Sequence, residues 1–153
     1  MANFTPSEHL LSMSGFDYLQ EMLAGNVPIT AISEPLNFTL HSVKTGRVAF
    51  RGTPLQTHAN QMGSLHGGWY ATLLDSAMAC AVMSHVPKGS VYTTLEFKTN
   101  ITKPIPLGME IEALGISQHV GRSTGVASGE IRGVKDGVLY ATGSTTCIIM
   151  KMK

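Results

Sequence analysis

The sequence predicts an α+β fold: a helical amino-terminal segment, a β-hairpin, one long buried helix and then four strands. Two observations carry this reading. Trp69, Leu73, Leu74, Ala77, Met78, Ala81 and Val82 recur at helical spacing, which a strand's alternation would not give. Beyond Pro87 the chain divides at short turns, Gly121-Arg122 and residues 135–137, into runs of strand length. A helix wrapped by one antiparallel sheet buries the apolar faces that such an order supplies.

Taken in order, Thr5, Pro6, Ser7 and Glu8 open the first helix. A hydroxyl cap followed by proline, with glutamate three residues on, is a start signal. Leu10, Leu11, Phe16, Leu19, Met22 and Leu23 give it an apolar stripe, which Gly15 divides and Gly25-Asn26 ends. Residues 26–33 are expected to form an extended loop. Strands over 36–43 and 47–52 flank Lys44, Thr45 and Gly46 as a hairpin. The central helix is expected over 65–85, stopping before Pro87, which has no backbone donor. The remaining strands are expected over 91–101, 109–120, 123–132 and 138–151. No internal repeat, linker or second domain interrupts the chain. Residues 1–153 read as one domain, with 1–35 as a helix-and-loop extension.

Composition narrows the function classes. Hydrophobic residues make up 43% and charged residues 14% of the 153, which excludes a disordered, highly charged chain. A net charge of +1 and the lack of a Lys/Arg run leave nothing to attract nucleic acid. No uncharged apolar stretch has the ~18 residues needed to span a membrane. The first residues lack the basic-then-apolar layout of a signal peptide, so the expected compartment is the cytoplasm. Cys80 and Cys147 sit in apolar segments without metal-site spacing and read as reduced thiols. Asn37 and Asn100 each begin a glycosylation triplet, which carries no weight without a secretion signal.

The chemistry centres on residues 60–75. Asp75 is the one ionisable carboxyl in about five turns of Ala, Leu, Met and Val. A buried carboxylate is costly enough that it is partnered, protonated or functional. Gly67 and Gly68 open the helix, where unpaired N–H groups and the positive dipole end face outward. With no side chains there, a ligand oxygen can approach the backbone. A donor site and an embedded acid suit acyl transfer. The two stand eight residues apart, roughly 12 Å along the axis, so one helix cannot bring both to one reacting carbon. Two antiparallel helices across a two-fold axis can, which points to a homodimer, or a dimer of dimers, with shared sites.

The full pattern is N-x-x-G-x-x-H-G-G-x-x-x-x-x-L-D, from Asn60 through Gly63, His66, Gly67 and Gly68 to Asp75. It resembles the signature of hotdog-fold acyl-CoA thioesterases of the phenylacetate-pathway (PaaI) type. The resemblance implies a hotdog fold, hydrolysis of an acyl- or aryl-CoA thioester to the free acid and coenzyme A, and no cofactor. It makes Asp75 the nucleophile or general base and the Gly67 N–H, with Gly68, the donor to the thioester oxygen. It places His66 in the site, holding the loop or polarising the carbonyl. At Asn60 it implies an amide that positions a water or a carboxylate; a turn-capping role is the rival. At Thr94 it implies a hydroxyl near the acid. Thr93 is the competitor there, because one residue of register exchanges their faces. The stretch between helix and Thr94 is about one residue longer than in some relatives. The family's Gly-then-Pro segment against the acyl pocket corresponds to residues 25–28.

Other residues are weighed on their own chemistry. Arg122, in a turn, is a candidate for the nucleotide phosphates of coenzyme A, ahead of Lys103 and Lys135. Met62, Trp69 and Tyr70 suit an acyl pocket or simple core packing. His58 and His66 have no third ligand at metal-site spacing, so no metal is expected. Two alternatives stay open: a hotdog hydratase or dehydratase of 3-hydroxyacyl thioesters, and a non-enzymatic acyl-CoA sensor.

Overall fold

Short polar caps decide where the first helices begin in the computed structural model, which describes residues 7–152. Ser7 accepts from the Leu10 N–H and starts α1, Glu8–Leu11. The cap expected at Thr5 lies outside the described residues, and Ser7 takes that role. Ser14 accepts from the Asp17 N–H while its hydroxyl donates to the Asp17 carboxylate, starting α2, Gly15–Leu23. The break between the two pieces therefore precedes Gly15, which is the first helical residue. It must be glycine for a packing reason: a Cβ there would collide with the Met83 carbonyl. The expected extended loop over 26–33 is corrected in one detail, a 3-10 turn over Ala31–Ser33 that buries Ser33.

Six strands follow the expected order: β1 Phe38–Lys44, β2 Arg47–Gly52, β3 Ser90–Ile101, β4 Ile111–Val120, β5 Thr124–Gly133 and β6 Leu139–Lys151. They form one antiparallel sheet in the order β1-β2-β4-β5-β6-β3. The third strand in sequence is thus an edge, paired only with the last. The central helix α3, Gly67–Met83, is two residues shorter at each end than expected. His66 caps it, and the last turn closes through the Ser84 N–H onto Cys80 and Val82. The sheet wraps around this helix, which is the hotdog arrangement.

The helix is buried because almost all of it is apolar. Leu73, Leu74, Ala77 and Met78 are 0% exposed, and truncating either leucine to alanine is worth about 2–5 kcal/mol. The sheet makes room with glycines. Gly115, Gly129 and Gly143 lie side by side across β4, β5 and β6. A Cβ on Gly115 would strike the Ala77 carbonyl, and one on Gly129 would stand 2.7 Å from Met78 Cγ. Backbone therefore meets helix directly at the sheet's centre. The start of α3 is anchored separately. The Trp69 indole N–H donates to the Leu36 carbonyl at 2.8 Å. His58, stacked beside Trp69, accepts from the Leu55 N–H and bonds the Pro35 carbonyl. Among the described residues no helix is long and apolar enough to cross a membrane.

Candidate active site

The open face of α3 carries Thr72, Asp75 and Ser76, all half-buried. Thr72 and Ser76 turn their hydroxyls back onto helix carbonyls, those of Gly68 and Thr72. Such bonds satisfy polar side chains inside a helix without outside partners. Asp75 is left as the helix's one carboxylate. Its Oδ1 accepts from the Thr94 hydroxyl at 2.9 Å, and Oδ2 has no hydrogen-bond partner among the described residues. Burial pushes the Asp75 carboxyl above the usual carboxylate range, while the Thr94 bond pulls it back. Thr94 faces the acid and Thr93 is exposed. Just beyond, the β3–β6 pairing shifts register between Thr94 and Glu96. A bulge next to a site re-aims side chains in this way.

Asp75 lines a cavity of about 490 Å³ between α3, α2 and β3. Tyr92, two residues before Thr94 and on the same face, forms part of its wall. Tyr92 carries no motif of its own in the sequence; its two-residue offset from Thr94 is the signal that places it on this face. Tyr92's hydroxyl lies 4.0 Å from the Cys80 sulfur. Burial pushes the Cys80 thiol up to about 12, so it stays protonated and does not serve as a nucleophile.

The helix start forms a second group. The His66 side chain accepts from the Gly68 N–H through Nδ1 at 2.9 Å, which leaves the ring proton on Nε2. The Gly68 donor is thereby occupied within the chain, whereas the Gly67 N–H finds no partner among the described residues. Asn60 holds the loop before the helix. Its side-chain oxygen accepts from the Met62 and Ser64 N–H groups, and its amide donates to the Ser64 hydroxyl. Gly63 closes that loop with φ of 76°, a conformation glycine adopts without strain. Met62 projects from it, 85% exposed. A cavity of about 350 Å³ lies beside this end of the helix, lined by His66, Gly68 and Thr72 among others. Thr72 is shared with the Asp75 cavity. Trp69 and Tyr70 are core residues, each 2% exposed, and the Tyr70 hydroxyl accepts from the Ile105 N–H.

One chain thus holds Asp75 with Thr94 in one place and Gly67, His66, Gly68 and Asn60 in another. Arg122 is elsewhere again. It is exposed in the turn before β5, whose Gly125 packs against Val82 near the far end of α3. Residues 62–140, just over half of the chain, match the family model of the thioesterase superfamily. The chain belongs to the thioesterase superfamily. Its relatives include acyl-coenzyme A thioesterase 13 from three organisms. The Mus musculus protein is 30% identical over 91 residues, 60% of this chain and 64% of its own, so the match spans under two thirds of that relative. The Homo sapiens protein is 28% identical over 128 residues, 77% of this chain and 89% of its own.

Solved thioesterase-superfamily structures resemble the fold closely. A phenylacetic acid degradation-related protein from Ralstonia eutropha JMP134 superposes with a TM-score of 0.78 at 25% identity, covering 86% of this chain and 98% of that one. A hypothetical thioesterase protein from Streptococcus pneumoniae TIGR4, solved with coenzyme A, gives 0.70 at 25% identity, covering 80% and 93%.

Proposed function

We propose that the protein hydrolyses acyl- or aryl-CoA thioesters to the free acid and coenzyme A. The observation that carries this is a single desolvated carboxylate, Asp75, held by Thr94 in the wall of a cavity large enough for an acyl group. The names of the relatives and the coenzyme A in the Streptococcus pneumoniae structure support the same substrate class.

The thioester carbonyl oxygen is bound by the Gly67 N–H, where the helix dipole stabilises the charge that develops on it. The His66 Nε2–H is a second donor on the same loop. Asp75 supplies the attack in one of two ways. Its carboxylate adds to the carbonyl carbon and expels the thiolate, and water then releases the anhydride; or it takes the proton of a water that adds directly. When water attacks the Asp75 carbonyl carbon of the anhydride, a single turnover in ¹⁸O-labelled water puts the label on Asp75 and releases an unlabelled acid, whereas direct addition of water always labels the acid. The acid and the donor belong to different copies of the chain. Support for that comes from the roughly 12 Å that separate them on α3 and from the character of β3. This edge strand exposes Leu95, Phe97 and Ile101, at 59%, 43% and 49%. The Ile101 side chain lies 3.7 Å from the position a Gly67 Cβ would take. An unpaired apolar edge is a surface that proteins cover.

Thiol release from a panel of acyl- and aryl-CoAs tests the reading. Hydrolysis frees a thiol, hydration alters the acyl chain without freeing one, and a sensor does neither. Arg122 is assigned to the nucleotide phosphates. Arg122→Ala is expected to weaken turnover of coenzyme A thioesters more than of the matching pantetheine thioesters. Equal losses on both would remove that assignment.

A further inference from the structure

The two walls of the Asp75 cavity come from different parts of the chain. One wall is α3 and β3, inside the segment 62–140 that the family model describes. The rest of the lining is Phe50 of β2 and residues drawn from 10–32, outside that segment, among them Tyr18 and Met22 of α2. These two are one helical turn apart and share a face. The neighbouring face of α2 is fastened to the body of the protein. Leu19 is 0% exposed. The Gly15 N–H donates to the Val86 carbonyl at 2.8 Å, and the Gln20 amide reaches the Val43 carbonyl at 3.3 Å. The first turn of α2 presses on Met83, at the end of α3 remote from Gly67. This wall is fixed in place.

The facing strip of α3 runs Asp75, Ala79, Met83, all lining the cavity. Those residues are spaced by four, so the strip is straight and roughly 12 Å long. An extended hydrocarbon with C–C bonds of ~1.5 Å advances roughly 1.3 Å per carbon, so about nine carbons fit from the acid to its end.

Resting on the thioesterase reading, we propose that α2 is the ruler of this enzyme: Tyr18 and Met22 stop the acyl chain that extends from Asp75 along Ala79 and Met83. The preferred substrate is then a straight, apolar, medium-chain acyl thioester. Specificity resides in a segment separate from the one that carries the acid.

The test is the chain-length profile of kcat/KM on butyryl-, hexanoyl-, octanoyl-, decanoyl-, dodecanoyl- and tetradecanoyl-CoA. It is measured for the full chain and for Met22→Ala, Tyr18→Ala and Met22→Trp. The unmodified chain is expected to peak at octanoyl- or decanoyl-CoA. Met22→Ala and Tyr18→Ala should move the peak to longer acyl groups, raising the tetradecanoyl-to-octanoyl ratio by about tenfold or more, the scale of one or more methylenes in an apolar pocket. Met22→Trp should move it to shorter ones. Each ratio is read within a single preparation, so a loss of folded protein cancels. A profile that stays put in all three variants, with hydrolysis intact, overturns the ruler and leaves the thioesterase reading standing. Absence of thiol release from every substrate by the unmodified chain overturns both.

Discussion

Asp75 occupies a position where charge is costly, and Thr94 is the group that offsets part of that cost. Burial raises the acid's pKa, so the folded chain binds a proton at a pH where the unfolded chain has released it. This group's contribution to stability therefore falls as pH rises from the ordinary carboxylate value through the raised one. Above that window the full cost of the carboxylate remains. Asp75→Asn removes the charge and keeps the shape. It should lower kcat by about a hundredfold or more while leaving the melting temperature at neutral pH equal or higher. Activity per folded molecule that survives the change would make Asp75 structural. Thr94→Val removes the bond that lowers the pKa, so the acid limb of the kcat/KM profile should move to higher pH. A limb that stays in place would show that Thr94 does not tune the acid. Asp75 was legible in the sequence because a lone acid among Leu, Ala and Met has few explanations. Thr94 over Thr93 was legible only through the resemblance, since neighbouring strand residues differ only in face and the sheet decides the face. Tyr92, two residues earlier, follows from the same choice of face.

At the scale of elements, periodicity and turn residues placed every strand and the long helix to within a few residues. What they could not give was the position of β3 within the sheet. It pairs with β6, some fifty residues away in sequence at Glu96 and Thr146, and nothing local encodes that partner. The edge position matters because it leaves Leu95, Phe97 and Ile101 exposed, with Ile101 beside the helix start. Phe97→Lys puts a charge on that edge, a device by which natural sheets prevent pairing. Sedimentation should show the variant dissociating, with thiol release falling in parallel as the monomer fraction grows. A fully active monomer would dismiss the shared site. The division of the first helix was legible only in part. Gly15 marked the place, but the hydroxyl of Ser14 and its bond to Asp17 set the boundary.

The whole molecule offers a sharper test of two copies cooperating. Asp75→Asn disables the acid, and Gly67→Pro deletes the N–H donor. In a heterodimer of the two, one site contains both lesions and the other neither. Mixing two inactive preparations should restore activity, each heterodimer reaching towards half that of the unmodified dimer. Confirmed subunit exchange without recovery would place acid and donor in the same chain. The seam of Gly115, Gly129 and Gly143 against α3 bears on how the assembled protein yields to compression. Pressure acts on internal voids, and where backbone rests on helix there is little empty volume to lose. Backbone does not rest on helix in this way along the space of about 490 Å³ beside Asp75. Squeezing the molecule narrows the room for an acyl chain and leaves the carboxylate in its register over the sheet.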